Sequence, residues 1–142
     1  MAANNGLVRG LLVRYLIVVN IKTSNIILYC KKWEDTVAFY KKVLKLQVNF
    51  SNEWFVEFNL NDTARLSVAN ENKSSIKSSG GKGITISLKV DDIKTMYSDM
   101  VESGLNPSPI KNLWESRLFY INDPEGNRIE FWNRLERALD LS

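Results

Sequence analysis

Glu130 sits in the run Arg128-Ile129-Glu130-Phe131-Trp132, where polar and apolar residues alternate. A strand with this period of two turns Ile129 and Phe131 to one side and Arg128, Glu130 and Trp132 to the other. A carboxylate is therefore aimed away from the hydrophobic core, which makes Glu130 the candidate catalytic residue. In a dry cleft its pKa would rise and it can serve as a general base. An ion pair with Arg65 or Arg128 is the inert alternative. The chain has no histidine, so the commonest acid-base partner is missing. Cys30 is the single cysteine and ends the apolar run Ile26 to Cys30. It has no partner within the chain for a disulfide and no histidine base, so it reads as a small buried hydrophobe.

The strand that carries Glu130 is entered through Asp123-Pro124-Glu125-Gly126-Asn127. Proline fixes φ, glycine tolerates φ > 0, and Asp and Asn cap with short side chains, so this segment predicts a hairpin turn. The same order of elements occurs earlier, shifted by about sixty residues, which signals an internal repeat. Asn25 to Cys30 lies over Thr85 to Val90, and Leu60-Asn61-Asp62 lies over Ile121-Asn122-Asp123. Arg65-Leu66-Ser67-Val68 lies over Arg128-Ile129-Glu130-Phe131, and Trp54 matches Trp114 in an expected third strand. Each half reads strand, helix, strand, strand, strand. The second helix has an N-cap in Asp91-Asp92, an apolar stripe of Ile93, Met96, Tyr97, Met100 and Val101, and a stop at Gly104. In the first, Glu34-Asp35 precede a stripe of Val37, Tyr40 and Leu44, with Trp33 at its head. The Ser-, Lys- and Gly-rich stretch Asn70 to Gly83 is the connection between the halves.

With 142 residues, 44% apolar and 11% aromatic, the chain suits one domain with a sizeable core. Its net charge of +3 does not mark a nucleic-acid partner. Arg9, Arg14 and Lys22 supply that excess, leaving 16 basic against 16 acidic residues in the remainder, with no basic stripe. Leu11 to Val19 is too short to cross a bilayer and is broken by Arg14, so no membrane span or signal peptide is expected. Leu7, Val8, Leu11, Leu12, Tyr15, Leu16 and Val19 share one helical face, which predicts an added helix or strand packing on the body or on a partner subunit, with membrane-surface binding as the alternative. The expected organisation is an N-terminal extension over 1–23, a domain over 24–133 and a tail over 134–142. Within the domain the modules are 24–70 and 83–133, joined by a linker at 71–82. A cytoplasmic location is the default for this composition.

Val37-Ala38-Phe39-Tyr40 with Leu44, Val90-Asp91-Asp92-Ile93, and the closing DPEGNRIEF from Asp123 resemble the vicinal oxygen chelate superfamily. That superfamily includes glyoxalase I, extradiol dioxygenases, fosfomycin-resistance enzymes and bleomycin-resistance proteins. The resemblance covers residues 24 to 133 and implies an α+β fold. Two βαβββ modules would form a curved mixed sheet around a cleft, with helices on its outer face. Metal enzymes of the superfamily hold a divalent ion with His or Gln, Glu, His and Glu. By the resemblance those positions fall here on Asn25, Ser67, Thr85 and Glu130, and one of the four keeps a usual ligand. Zinc, iron and other divalent ions need several anionic oxygen or imidazole ligands, so no metal and no cofactor are expected. Asn112 to Arg117 is similar to the bleomycin-resistance pattern around a tryptophan, with Glu115 where that pattern usually has glycine.

Strand alternation, taken by itself, sends Ile26, Leu28, Cys30, Ile84, Ile86, Leu88 and Val90 toward the helices. The cleft then receives Asn25, Ile27, Tyr29, Arg65, Ser67, Thr85, Ser87, Arg128, Glu130 and Trp132, with Phe55 and Glu57 at its margin. This mixed lining suits a small molecule, and Trp114 and Trp132 can stack on a planar one. The expected function is metal-free binding of a small-molecule ligand by a homodimer, of the sequestration or resistance type. The alternative is a lyase, isomerase or dioxygenase that uses Glu130 with a non-standard metal site.

Overall fold

The computed structural model describes residues 16–135. The first half runs β1 (Ser24–Cys30), α1 (Trp33–Ala38), β2 (Val48–Ser51), β3 (Phe55–Asn59) and β4 (Ala64–Asn70). The second runs β5 (Thr85–Lys89), α2 (Ile93–Glu102), β6 (Lys111–Leu113), β7 (Ser116–Asn122) and β8 (Arg128–Arg134). Each half closes one four-stranded mixed sheet, in the orders β1-β4-β3-β2 and β5-β8-β7-β6. The first strand of each half pairs in parallel with the last, and the others are antiparallel. This is the α+β architecture of two βαβββ modules.

Alternation along the strands puts Leu28, Val56, Phe58, Leu66, Val68, Ile86, Phe119, Ile121, Ile129 and Phe131 into one core shared by both halves. Ile93 and Met100 of α2 close on it from outside, and Asp92 caps that helix by accepting from Thr95 N at 3.1 Å. Hydrogen bonding to Thr95 also holds the Asp92 carboxyl below the usual carboxylate range. Helix α1 continues through a wider, π-helical turn at Phe39–Val43, which buries Phe39 and Tyr40 side by side. Cys30 is fully buried, as its apolar setting predicts, and burial pushes its thiol up to about 12, so it is inert as a nucleophile.

The DPEGN turn does more than reverse the chain. Asp123 and Asn127 are buried; Asp123 Oδ1 accepts from the backbone N–H of Glu125 and Asn127, and its Oδ2 accepts from Asn127 Nδ2. Glu125 reaches back to the first half, accepting from Lys31 N at 2.9 Å and Lys32 N at 2.8 Å, ahead of α1. Ser78 of the linker donates to the same carboxylate. Gly81 of the linker, at φ +82°, lies so close to the turn that a Cβ there would be 2.1 Å from the carbonyl oxygen of Gly126.

Three expectations change. Trp54 and Trp114 lie in the turns that precede β3 and β7 rather than in strands. Trp114 and Glu115 both adopt positive φ, 49° and 64°, so the hairpin demands here the left-handed backbone that glycine favours. Val101 is half exposed because α2 rests on its Ile93 and Met100 side. Of the apolar N-terminal face, Leu16 and Val19 carry no helix or strand and are 80% and 70% exposed, and its other members lie outside the described residues.

Candidate functional site

On the open face of the first sheet, Ser67 donates to Asn25 Oδ1 at 2.8 Å, and Asn25 Nδ2 donates to Glu57 Oε1 at 3.4 Å. Asn49 Nδ2 donates to the other oxygen of Glu57. Register explains the cluster: Glu57 of β3 stands directly opposite Ser67 of β4, and Asn25 of β1 lies diagonally beside it. Arg65 turns aside, giving its guanidinium to the carbonyls of Asn61 and Ala64 at 2.8 and 3.2 Å. Ile27 and Tyr29 line a separate small cavity beneath the linker residues Ile76 to Ser79.

The corresponding face of the second sheet is built on the same register with different chemistry. Ser87 donates to Glu130 Oε1 at 2.8 Å, and Arg128 Nε donates to Thr85 Oγ1 at 2.9 Å. The expected pairing of Glu130 with Arg65 or Arg128 is therefore replaced by a neutral donor, because each guanidinium is drawn to another acceptor. The Arg128 guanidinium lies 4.9 Å from the ring of Tyr120, which stands opposite Glu130. Lys111 Nζ donates to the Tyr120 hydroxyl at 2.7 Å, and Lys89 lies 5.5 Å from the ring of Trp132. Next to these groups is an open cavity of about 220 Å³ lined by Ser87, Leu113, Trp114, Leu118, Glu130 and Trp132, among others. Its floor is Leu118, buried although it points away from the main core. Trp114, 88% exposed, forms its outer wall.

The structure thus joins Asn25 with Ser67, Thr85 with Arg128, and Ser87 with Glu130. Among the described residues no hydrogen bond links the first-half cluster to the second-half one. The cavity beside Glu130 is lined by the second half alone.

Comparison with known proteins matches the glyoxalase-like domain to residues 23–136 of the chain. The chain belongs to the glyoxalase-like domain family. Its fold and this match also place it in the vicinal oxygen chelate superfamily. The uncharacterized protein YraH of Bacillus subtilis is 26% identical over 129 residues, which are 80% of this chain and 99% of YraH. A glyoxalase/bleomycin resistance protein/dioxygenase structure from Nocardioides superposes with a TM-score of 0.71 at 19% identity, covering 92% of this chain and 95% of that one. Lactoylglutathione lyase from Agrobacterium tumefaciens superposes at 0.65 with 18% identity, over 77% of this chain and 90% of its own. The antibiotic binding protein TnmS3 from Streptomyces sp. CB03234 gives 0.66 at 15% identity, over 80% and 94%.

In this glyoxalase-like domain the positions that would hold a divalent ion are a poor donor set. Asn25 Oδ1 is already accepting from Ser67, Thr85 Oγ1 from Arg128, and one of the two Glu130 oxygens from Ser87. One carboxylate beside an amide and two hydroxyls does not match what zinc, iron or manganese requires. Among the described residues no three His, Cys, Asp or Glu side chains cluster as a metal site. The residues do not fit the metal of the superfamily's enzymes.

Sequence reasoning missed Lys111 and Tyr120 and left Glu57 at the margin. Tyr120 had a signal: Ser116, Leu118 and Tyr120 alternate with Phe119 and Ile121, which places the phenol on the Glu130 side. Lys111 had none, since β6 is a three-residue strand too short to show a period.

Proposed function

We propose that this glyoxalase-like protein binds a planar small molecule on the open face of its second half, without a metal, as a sequestering rather than a catalytic member of its family. The observation that carries the reading is the state of the four ligand positions: three are uncharged, and each of the four already makes a hydrogen bond within its own half. Beside them the cavity offers Trp114, Trp132, Leu113 and Leu118 as apolar contact, with Ser87 and Glu130 as the polar groups that orient a ligand. The description of TnmS3 as antibiotic binding gives precedent for such a role on this fold. The exposed apolar run Leu16 to Val19 supplies surface for a second copy, so the working state is a homodimer. The balanced charge of the body suits a cytoplasmic protein that does not bind nucleic acid. No helix among the described residues is long and apolar enough to cross a membrane.

Elemental analysis of protein purified without chelator, combined with thermal melting against planar aromatic and antibiotic compounds, tests this reading. Metal well below one ion per chain, together with a ligand-induced rise in the melting midpoint, is the expected result. Metal near one ion per chain, with turnover of a lyase, isomerase or dioxygenase substrate that Glu130→Gln abolishes, would replace it with the enzymatic alternative.

A further inference from the structure

We infer that the ligand of this site carries an acidic group, and that Lys111, Tyr120 and Arg128 receive it. The inference rests on the small-molecule reading and names the ligand's charge class. Lys111 and Arg128 approach one phenol from β6 and β8, at 5.1 and 4.9 Å from its ring centroid. Among the described residues neither cation has a carboxylate partner: Lys111 donates to the Tyr120 hydroxyl and Arg128 to the Thr85 hydroxyl. Lys89, another cation of this face, lies over Trp132 in the same way. Glu130, opposite Tyr120 in register, takes its hydrogen bond from Ser87. Like charges gathered on one phenol repel, and an anion between them removes that repulsion.

The donors left over suit a carboxylate. Arg128 has used its Nε, so both terminal nitrogens of its fork remain for two parallel hydrogen bonds. Lys111 has used one of three ammonium hydrogens, and Tyr120, which accepts from it, still has its own proton to donate. Tyr120 is two residues along β7 from Leu118, the cavity floor, a step of about 7 Å on one face. An acid group at the trio therefore leaves an attached planar ring over Leu118 and between Trp114 and Trp132. Without the trio, the cavity offers Ser87 and Glu130 as its polar groups, and neither favours an anion.

Two probes with the same ring separate the possibilities: 2-naphthoate and its neutral analogue 2-naphthamide, titrated by calorimetry against the full chain. Naphthoate is expected to bind about tenfold tighter than naphthamide, with the difference shrinking as salt rises. Lys111→Gln with Arg128→Gln should erase the preference, bringing the affinity for naphthoate down to that for naphthamide. Arg128→Lys, which keeps the charge and loses the fork, should fall between. Equal binding of the two probes, or a preference that survives the double substitution, overturns the acidic-ligand inference and leaves the planar-ligand reading intact. Binding of neither probe overturns both.

Discussion

The hydroxyl of Tyr40 donates to Asp123 Oδ2 at 2.7 Å, joining the first helix of one half to the turn that launches the last strand of the other. Both groups are buried, and 83 residues separate them in sequence. Burial first, and then the neighbouring Asp123 carboxylate, push the phenol's pKa far above its ordinary range. The phenol therefore stays protonated at neutral pH and is the donor in this bond.

Tyr40→Phe should preserve packing against Phe39 and Phe58 and remove that one donor from Asp123. A hydrogen bond to a charged group is worth about 1.5–3 kcal/mol, so chemical denaturation should show a loss of that order. A variant as stable as the parent would mean the two halves do not depend on this contact.

Glu125 predicts the acid limb of stability. Partial burial raises its pKa, but hydrogen bonds from Ser78 and from the N–H groups of Lys31 and Lys32 outweigh it, and the carboxyl sits below its ordinary value. Because the folded pKa is lower than the unfolded one, the stabilisation is complete above the unfolded glutamate value of about 4.3 and is lost as pH falls through the folded value. Glu125→Gln should lower stability at pH 7 and flatten the decline below pH about 4. Melting curves collected from pH 3 to 7 check this, and parallel profiles for the two proteins would count against it.

Two adjacent glycines of the linker should respond unequally to alanine. Gly80 and Gly81 both have positive φ, +67° and +82°, so each substitution carries a left-handed backbone cost of about 1–2 kcal/mol. A Cβ on Gly80 meets nothing within 4 Å, whereas one on Gly81 would overlap the Gly126 carbonyl at 2.1 Å. Gly81→Ala should therefore be the more destabilising, by at least about 2 kcal/mol, because backbone must move on both sides of the contact. Equal midpoints in urea for the two variants would contradict the close approach of linker and turn.

The chain's local periods were enough to establish the repeat, the two modules, the capped second helix and the side of each strand that Ser67, Thr85, Ser87, Glu130 and Trp132 occupy. Side-chain direction in a strand follows from sequence position alone, so alternation reads it without knowing the neighbours. Which partner each polar group takes is set by register between strands distant in sequence, and only the folded chain decides that. It gave Arg128 to Thr85 and Tyr120 instead of Glu130, kept Asn25 with Ser67 and Glu57, and held Trp114 in a left-handed turn beside the cavity. It also made the DPEGN turn the contact that Tyr40 and the linker share. Composition marks these residues as able to hydrogen-bond; the twist and pairing of two sheets determine which of those bonds are used and which donors remain for a ligand.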